Sequence, residues 1–308
     1  MSALKKHNRI AKAAVAMLMT MLTIGLTSPA VLAVNEDSAS GSATGGNLTP
    51  EVTSVTAPSS VDPQVEYDFP STVQDNNTLA DISTVVLEVY LTTAEGKPDA
   101  KENHYTFTFT AVDNVWTETG PGPDNDHLIT GSCTHPPDLT LQSDNYKFVI
   151  KLSAAATIGA WTAKWIATDE ALSGENTDTF SVTGIITLEI DDDTLTFTGS
   201  PGDTDRTPTE TPTVCTVYTN YTFKVEAKLS ADWLGTTHGG TIPMGNTDAA
   251  QTSGKEGIKA LTGEYQFIWT DVGSGENVQK DIYWFLELPV PLRDDVYTTT
   301  FYVQAVTI

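Results

Sequence analysis

The residues with reactive potential are mostly carboxylates. Asp191-Asp192-Asp193, Asp203 with Asp205, and Asp124 with Asp126 each crowd hard oxygen donors into a turn-like stretch. Calcium takes six to eight such ligands, so these are the candidate cation sites, with Asp191 to Asp193 the best placed. None follows the twelve-residue helix-loop-helix calcium pattern, and an Asp in a turn also serves by bonding its own backbone. Both roles stay open, with calcium the one cofactor considered. His127, Cys133 and His135 lie close together, yet their spacing matches no familiar zinc set. The two cysteines, Cys133 and Cys215, permit one bridge in an oxidising compartment, and closing that loop would remove on the order of 4 kcal/mol of unfolded-state entropy. Free thiols or an intermolecular bridge are the alternatives.

Among six tryptophans, Trp161, Trp165, Trp269 and Trp284 fall on alternating apolar faces and are assigned to cores. Trp116 and Trp233 lie beside turns and are the candidates for stacking on a sugar ring. Asn47, Asn76 and Asn220 each head an Asn-x-Thr acceptor sequence for glycosylation. No Gly-x-Ser-x-Gly elbow, His-Glu-x-x-His pair, phosphate-cradling loop or dinucleotide fingerprint occurs. Paired glycosidase carboxylates meet only in three dimensions. The residues name no reaction, and the expectation is a protein without catalysis.

The elements that would position these residues are strands. Val85, Leu87, Val89 and Leu91 share one face, and so do Tyr105, Phe107, Phe109 and Ala111. Tyr146, Phe148, Ile150 and Leu152 repeat the design, followed by Trp161, Ala163, Trp165 and Ala167. The positions between are mostly polar, as a sheet with one face on a core and one in water requires. A second set runs through Ile186, Leu188, Ile190, then Leu195 and Phe197, then Phe223, Val225, Ala227 and Leu229. Tyr265, Phe267 and Trp269 follow, then Ile282, Trp284, Leu286 and Leu288, and a last run from Tyr297 to Ile308. No helical period is sustained. The expectation is an all-β protein of two tandem sandwiches, residues 50–183 and 184–308. Ser200 to Thr213 and the Gly-rich stretch His238 to Gly257 are expected to be loops.

Ahead of the strands, Lys5, Lys6, Arg9 and Lys12 precede an uncharged apolar run from Ala13 to Leu26, and Ser28 to Ala33 ends with small residues at the cleavage positions. That order predicts a signal peptide over residues 1–33, and hence a secreted or cell-surface protein with no membrane span in the mature chain. Residues 34–49 are Ser/Gly-rich with hardly a large apolar residue, and are expected to form a flexible arm. The chain holds 16 Lys+Arg against 40 Asp+Glu, a net charge of −24, which becomes −28 when the leader takes four bases and no acid. So acidic a surface excludes nucleic-acid binding. Solubility in high salt, capture of divalent cations and plain self-repulsion are its three readings.

The stretch Gly159 to Asp169 (Gly-Ala-Trp-Thr-Ala-Lys-Trp-Ile-Ala-Thr-Asp) resembles the late strand of immunoglobulin-like domains in secreted prokaryotic surface proteins. The resemblance implies a polar turn at Glu170 to Thr177, a closing strand Thr179 to Val182, and a loop at Asp75 to Ile82 between the second and third strands. More loosely, Glu287-Leu288-Pro289-Val290-Pro291 and Val296 to Thr300 are similar to the last strands of prokaryotic envelope and matrix modules. The likeness implies fold and location and no shared chemistry. Together these point to a structural subunit of an extracellular layer, filament or matrix, associating with itself or with other surface proteins. The strand-like run Glu51 to Val55 and the final run to Ile308 are expected either to pair within their own sandwiches or to pair with a neighbour's sheet edge. The competing expectation is an adhesin or carbohydrate-binding module acting through Trp116, Trp233 or the Gly-rich stretch near His238.

Overall fold

In the computed structural model residues 46–119, 126–170 and 172–308 are described. The expected leader, most of the arm and Asp124 lie outside them. Among the described residues the regular structure is strands and short 3-10 turns.

Alternation builds the first sandwich. In β1 (Glu51–Val55), β3 (Glu66–Gln74) and β7 (Ser143–Lys151), Val52, Phe69, Val73, Tyr146, Phe148 and Ile150 point inward and are buried. These strands pair antiparallel in the order β1-β3-β7. The facing sheet runs β2 (Ser60–Val61), β9 (Ser173–Val182), β8 (Gly159–Thr168), β4 (Thr84–Leu91), β5 (His104–Thr110) and β6 (Val115–Thr119). Separation of early strands β1 and β3 from the β9-β8-β4 group, with β7 returning to β3, is the immunoglobulin connectivity, and β5 and β6 extend the sheet as in the variable type. Trp161, Trp165, Phe107 and Leu87 meet Phe69 and Phe148 in one core. Burying each such side chain contributes about 1.5–3 kcal/mol.

Two edges of this sandwich are covered, one of them in part. Strand β2 lies parallel to β9 with Val61 beside Val182, leaving Phe180 and Val182 5% and 2% exposed. Leu128 and Thr134 bridge to Ile150 and Lys147 and cover part of the outer edge of β7. The loop between β3 and β4 contains a single 3-10 turn, Leu79–Asp81. The turn expected at Glu170 to Thr177 is much shorter, because all ten residues of β8 find partners and β9 begins at Ser173.

The second sandwich pairs β10 (Ile186–Ile190), β11 (Thr213–Thr219), β18 (Gly275–Leu286), β15 (Thr247–Ala250) and β16 (Lys259–Ala260) in one sheet. The other sheet is β17 (Gln266–Val272), β12 (Phe223–Leu229) and β20 (Phe301–Thr307). A small sheet of β14 (Thr241–Ile242), β13 (Trp233–Gly235) and β19 (Tyr297–Thr298) closes one end. Cys215, Val217, Phe223, Val225, Ala227, Ile282 and Trp284 form its core.

Three expectations are corrected here. Leu195 and Phe197 lie on no strand, because Thr196 N donates to Glu210 Oε2 at 2.8 Å and Thr196 O accepts from Thr209 N at 3.1 Å, tying the segment to the Pro/Thr stretch. That stretch is the exposed loop expected, pinned to the sandwich where Arg206 and Leu286 exchange main-chain bonds of 3.0 and 2.8 Å and Gly202 and Asp203 bond to Leu288. The Gly-rich interruption contains β14 and β15, with Ile242, Ala249 and Ala250 buried. In β17 the inward residues are Ile268, Val272 and the half-buried Trp269, which packs on the core as expected, while Phe267 is 46% exposed. Two register shifts against β12 set that phase, and a shift of one residue exchanges the faces of a strand.

Candidate functional site

The joint between the sandwiches is held by side chains. Glu276, at the tip of the β17-β18 hairpin, accepts from Gln64 Nε2 at 2.9 Å and Ser153 Oγ at 3.1 Å, and Lys101 Nζ lies 3.6 Å away. Asn220 donates through Nδ2 to the carbonyls of Ala156 (2.9 Å) and Thr183 (2.8 Å), while its Oδ1 accepts from Ile185 N at 2.9 Å. An amide bonded this way is committed to the joint, so a glycan on Asn220 would have to break at least one of the two donated bonds. Gly184 is required by close approach: a Cβ there would sit 1.8 Å from Tyr221 Oη. Asn76 and Asn47 are exposed.

A cleft of about 710 Å³ opens beside the small β14-β13-β19 sheet. Trp233, Phe197, Leu288, Leu292 and Tyr297 line it, with Asp295 at the rim. Trp233 is only 7% exposed; its Nε1 donates to Thr247 Oγ1 at 2.9 Å and its ring meets Phe197 edge-on at 5.7 Å. Trp233 thus opens strand β13 just after the bend at Ser230 and Ala231, as expected, and lines the cleft. Asp295 organises the loop after β13, accepting from the backbone N–H of His238 (2.6 Å), Val296 (2.8 Å) and Thr237 (3.0 Å). Desolvation would raise its pKa, but the three N–H bonds outweigh it and bring the carboxyl down to about 2. His238 Nδ1 donates to Asp294 O, and Arg293 Nη1 to His238 O. Gly235 makes room for this lock, since a Cβ would lie 2.5 Å from Asp295 Oδ2. Of the candidates named from sequence, Trp233 lines the cleft, while His238 bonds the Asp294-Asp295 segment without lining it. Nothing before folding marks Asp295 beyond its place ahead of a strand.

The other candidates are placed apart. Trp116 lies on β6, half-buried against Phe109 at 4.7 Å and Phe148 at 5.0 Å, in the first core and away from the cleft. Asp191 Oδ1 accepts from Val214 N at 2.7 Å and Asp193 Oδ1 from Thr194 Oγ1 at 3.1 Å. Among the described residues no group of three or more His, Cys, Asp or Glu is gathered as a metal cluster. Asp203 bonds Ser200 N and Asp205 pairs with Lys255. The disulfide left open by the sequence is not formed. Cys133 packs on the first core and Cys215 lies in the second, both as free thiols. His127, Cys133 and His135 each have their own partner. His127 Nδ1 meets Glu118 Oε1 at 2.8 Å, Cys133 Sγ donates to Ile129 O, and His135 Nδ1 to Pro136 O.

The seam between β10 and β20 differs from the covered edges of the first sandwich. β20 pairs with β12 alone among the described residues. Ile308 N donates to Thr222 O and Thr300 O accepts from Ser230 N, so even-numbered residues bond inward and the N–H and C=O groups of Phe301, Val303, Ala305 and Thr307 point to the open side. Their side chains and those of Ile186, Leu188 and Ile190 pack on the core but stay half-exposed, apart from the fully exposed Thr307. In the immunoglobulin pattern another strand occupies that position.

No helix among the described residues is long and apolar enough to cross a membrane. No protein-family model matches the chain, and no curated protein does. Among solved structures it is similar to bovine butyrophilin, at 10% identity and TM-score 0.27 over 84% of this chain and 98% of that one. It is also similar to a structure titled BspA_C_mut (11%, 0.24, 85% and 97%) and to titin domains z1z2 in complex with telethonin (10%, 0.23, 84% and 95%). Likeness at these scores adds nothing to the strand pairing, and the pairing itself makes the fold two tandem immunoglobulin-like β-sandwiches.

Proposed function

We propose that the protein is a non-enzymatic structural subunit of an extracellular layer, filament or matrix. In this reading it is exported by a leader removed after Ala33, with an arm to residue 49 and sandwiches at 50–183 and 184–308. The observation that carries the proposal is the open seam of the second sandwich. Four residues of β20 offer paired N–H and C=O groups to a strand from outside, and half-exposed apolar side chains of β10 and β20 await its cover. Phe301 to Ile308 holds no charge and no proline, the devices that usually blunt an edge. On a chain of net charge −24, this uncharged edge is where a second copy meets least repulsion. Antiparallel pairing of two β20 edges would join both sheets into one.

Ala305→Pro tests this without disturbing the sandwich, because the N–H it removes points away from β12. Sedimentation velocity should show association of the wild type that the variant loses, with equal thermal unfolding. A monomeric wild type at its highest soluble concentration would sink the proposal. A second reading, an adhesin or binding module, is favoured by the Trp233 cleft. A glycan or apolar ligand protecting the Trp233 fluorescence from quenching would support it.

A further inference from the structure

The bulged phase of β17 creates a surface that the two readings above do not use. Tyr265 and the β17 ring Phe267 stand on the solvent side of the β17-β12-β20 sheet, whereas Trp269, opposite the buried Val225, packs on the core. Lys224 and Lys228 rise between the strands that carry these rings. Lys224 Nζ lies 3.9 Å from the Phe267 centroid, and Lys228 Nζ lies 4.3 Å from Tyr265 and 5.6 Å from Tyr302 on β20. Lys280 Nζ covers Trp269 at 4.6 Å. Phe267 and Tyr302 are each 46% exposed. Lys228 is the cross-strand partner of Tyr302, so the face offers ring, ammonium and ring across three strands. Strand spacing puts the outer rings about 10 Å apart.

The charge balance of this face is the reverse of the molecule's. Two of the ten lysines beyond residue 33, Lys224 and Lys228, gather here on a chain of net charge −24. Its central carboxylate, Glu226, is buried and already engaged by Lys224 at 3.0 Å and Gln304 at 2.5 Å. A flat, open face of rings and ammoniums selects by repeated shallow contacts, which suits a polymer better than a small molecule. Apolar faces of sugar rings stack on aromatic side chains, and lysines answer carboxylates. We infer that the outer face of the β17-β12-β20 sheet binds an acidic polysaccharide, with Phe267 and Tyr302 as stacking residues and Lys224 and Lys228 as the charge partners.

Calorimetric titration with oligogalacturonate, and with a neutral galactose oligomer as control, tests the inference in wild type and in the Ala305→Pro variant. Acidic oligomer should bind both proteins alike, weaken with added salt, and bind better than the neutral one. Phe267→Ala or Tyr302→Ala should each lower affinity about five- to tenfold with circular dichroism unchanged. Lys224→Gln with Lys228→Gln should remove the salt dependence and equalise the two oligomers, a readout that stays valid if a ring variant folds poorly. Overturning outcomes are no binding of either oligomer, binding untouched by all four substitutions, or loss of protein self-association in the ring variants in place of glycan binding. Because the titration is run in the Ala305→Pro background as well, failure of the assembly proposal leaves this test intact.

Discussion

Two thiols placed in separate cores show how burial governs a side chain's chemistry. Burial, with Asp191 and Asp281 nearby, pushes the Cys215 thiol up to about 12. Burial also raises Cys133, and a bond from Val149 N partly offsets it. Iodoacetamide at pH 8 should therefore label half-buried Cys133 slowly and Cys215 only after denaturation, which peptide mapping would show. Equal fast labelling would contradict this placement. Asp295 behaves in the opposite sense. Its carboxyl is depressed to about 2, so its contribution to the loop is complete above the ordinary carboxylate range and is lost as pH falls through about 2. Hydrogen exchange at Thr237 and His238 should stay slow at pH 3 and quicken below 2, whereas Asp295→Asn should quicken it at every pH. Trp116 and Trp233 were singled out by their neighbours in sequence, and one of the two does line a cleft. The sequence could not show that Trp233 spends its N–H on Thr247, because that partner comes from another strand.

At the scale of elements, period-two alternation located most strands of the first sandwich and their inward residues. It worked there because every strand has one face on the core and the pairing is regular from β4 to β9. It failed in part of β17, where bulges against β12 leave Phe267 exposed and Ile268 inward, and at Leu195 to Phe197, where the backbone bonds a polar segment instead of a strand. The joint is an element in its own right. Removing Glu276 leaves Gln64, Ser153 and Lys101 without their shared acceptor, and hydrogen bonds to a charged group are worth about 1.5–3 kcal/mol each. Glu276→Ala combined with Asn220→Ala should cost about 2–4 kcal/mol and split one calorimetric transition into two. A single unshifted transition would mean that the sandwiches are coupled elsewhere.

For the whole molecule the contrast between the sandwiches matters most. The first covers its β9 edge with β2 and part of its β7 edge with the Leu128 to Thr134 segment, whereas the second leaves β20 open beside a half-exposed apolar seam. In the proposed extracellular setting, a covered unit followed by an open one suits ordered contact with neighbours. The acidic surface should make such contact depend on ionic strength. Raising salt from low to physiological levels should strengthen association of the wild type by screening self-repulsion, and leave Ala305→Pro monomeric, as sedimentation would record.

By itself the sequence determined the all-strand class, the identity of most core residues and the acidity, since these depend on local alternation and on composition alone. Only the tertiary structure decided which strands of the second sandwich end as edges, among them β20, which residues of β17 meet water, and that the two cysteines stay apart. Each of those outcomes depends on pairing between segments distant in the chain, and no local pattern of side chains encodes which edge is left over when pairing is complete.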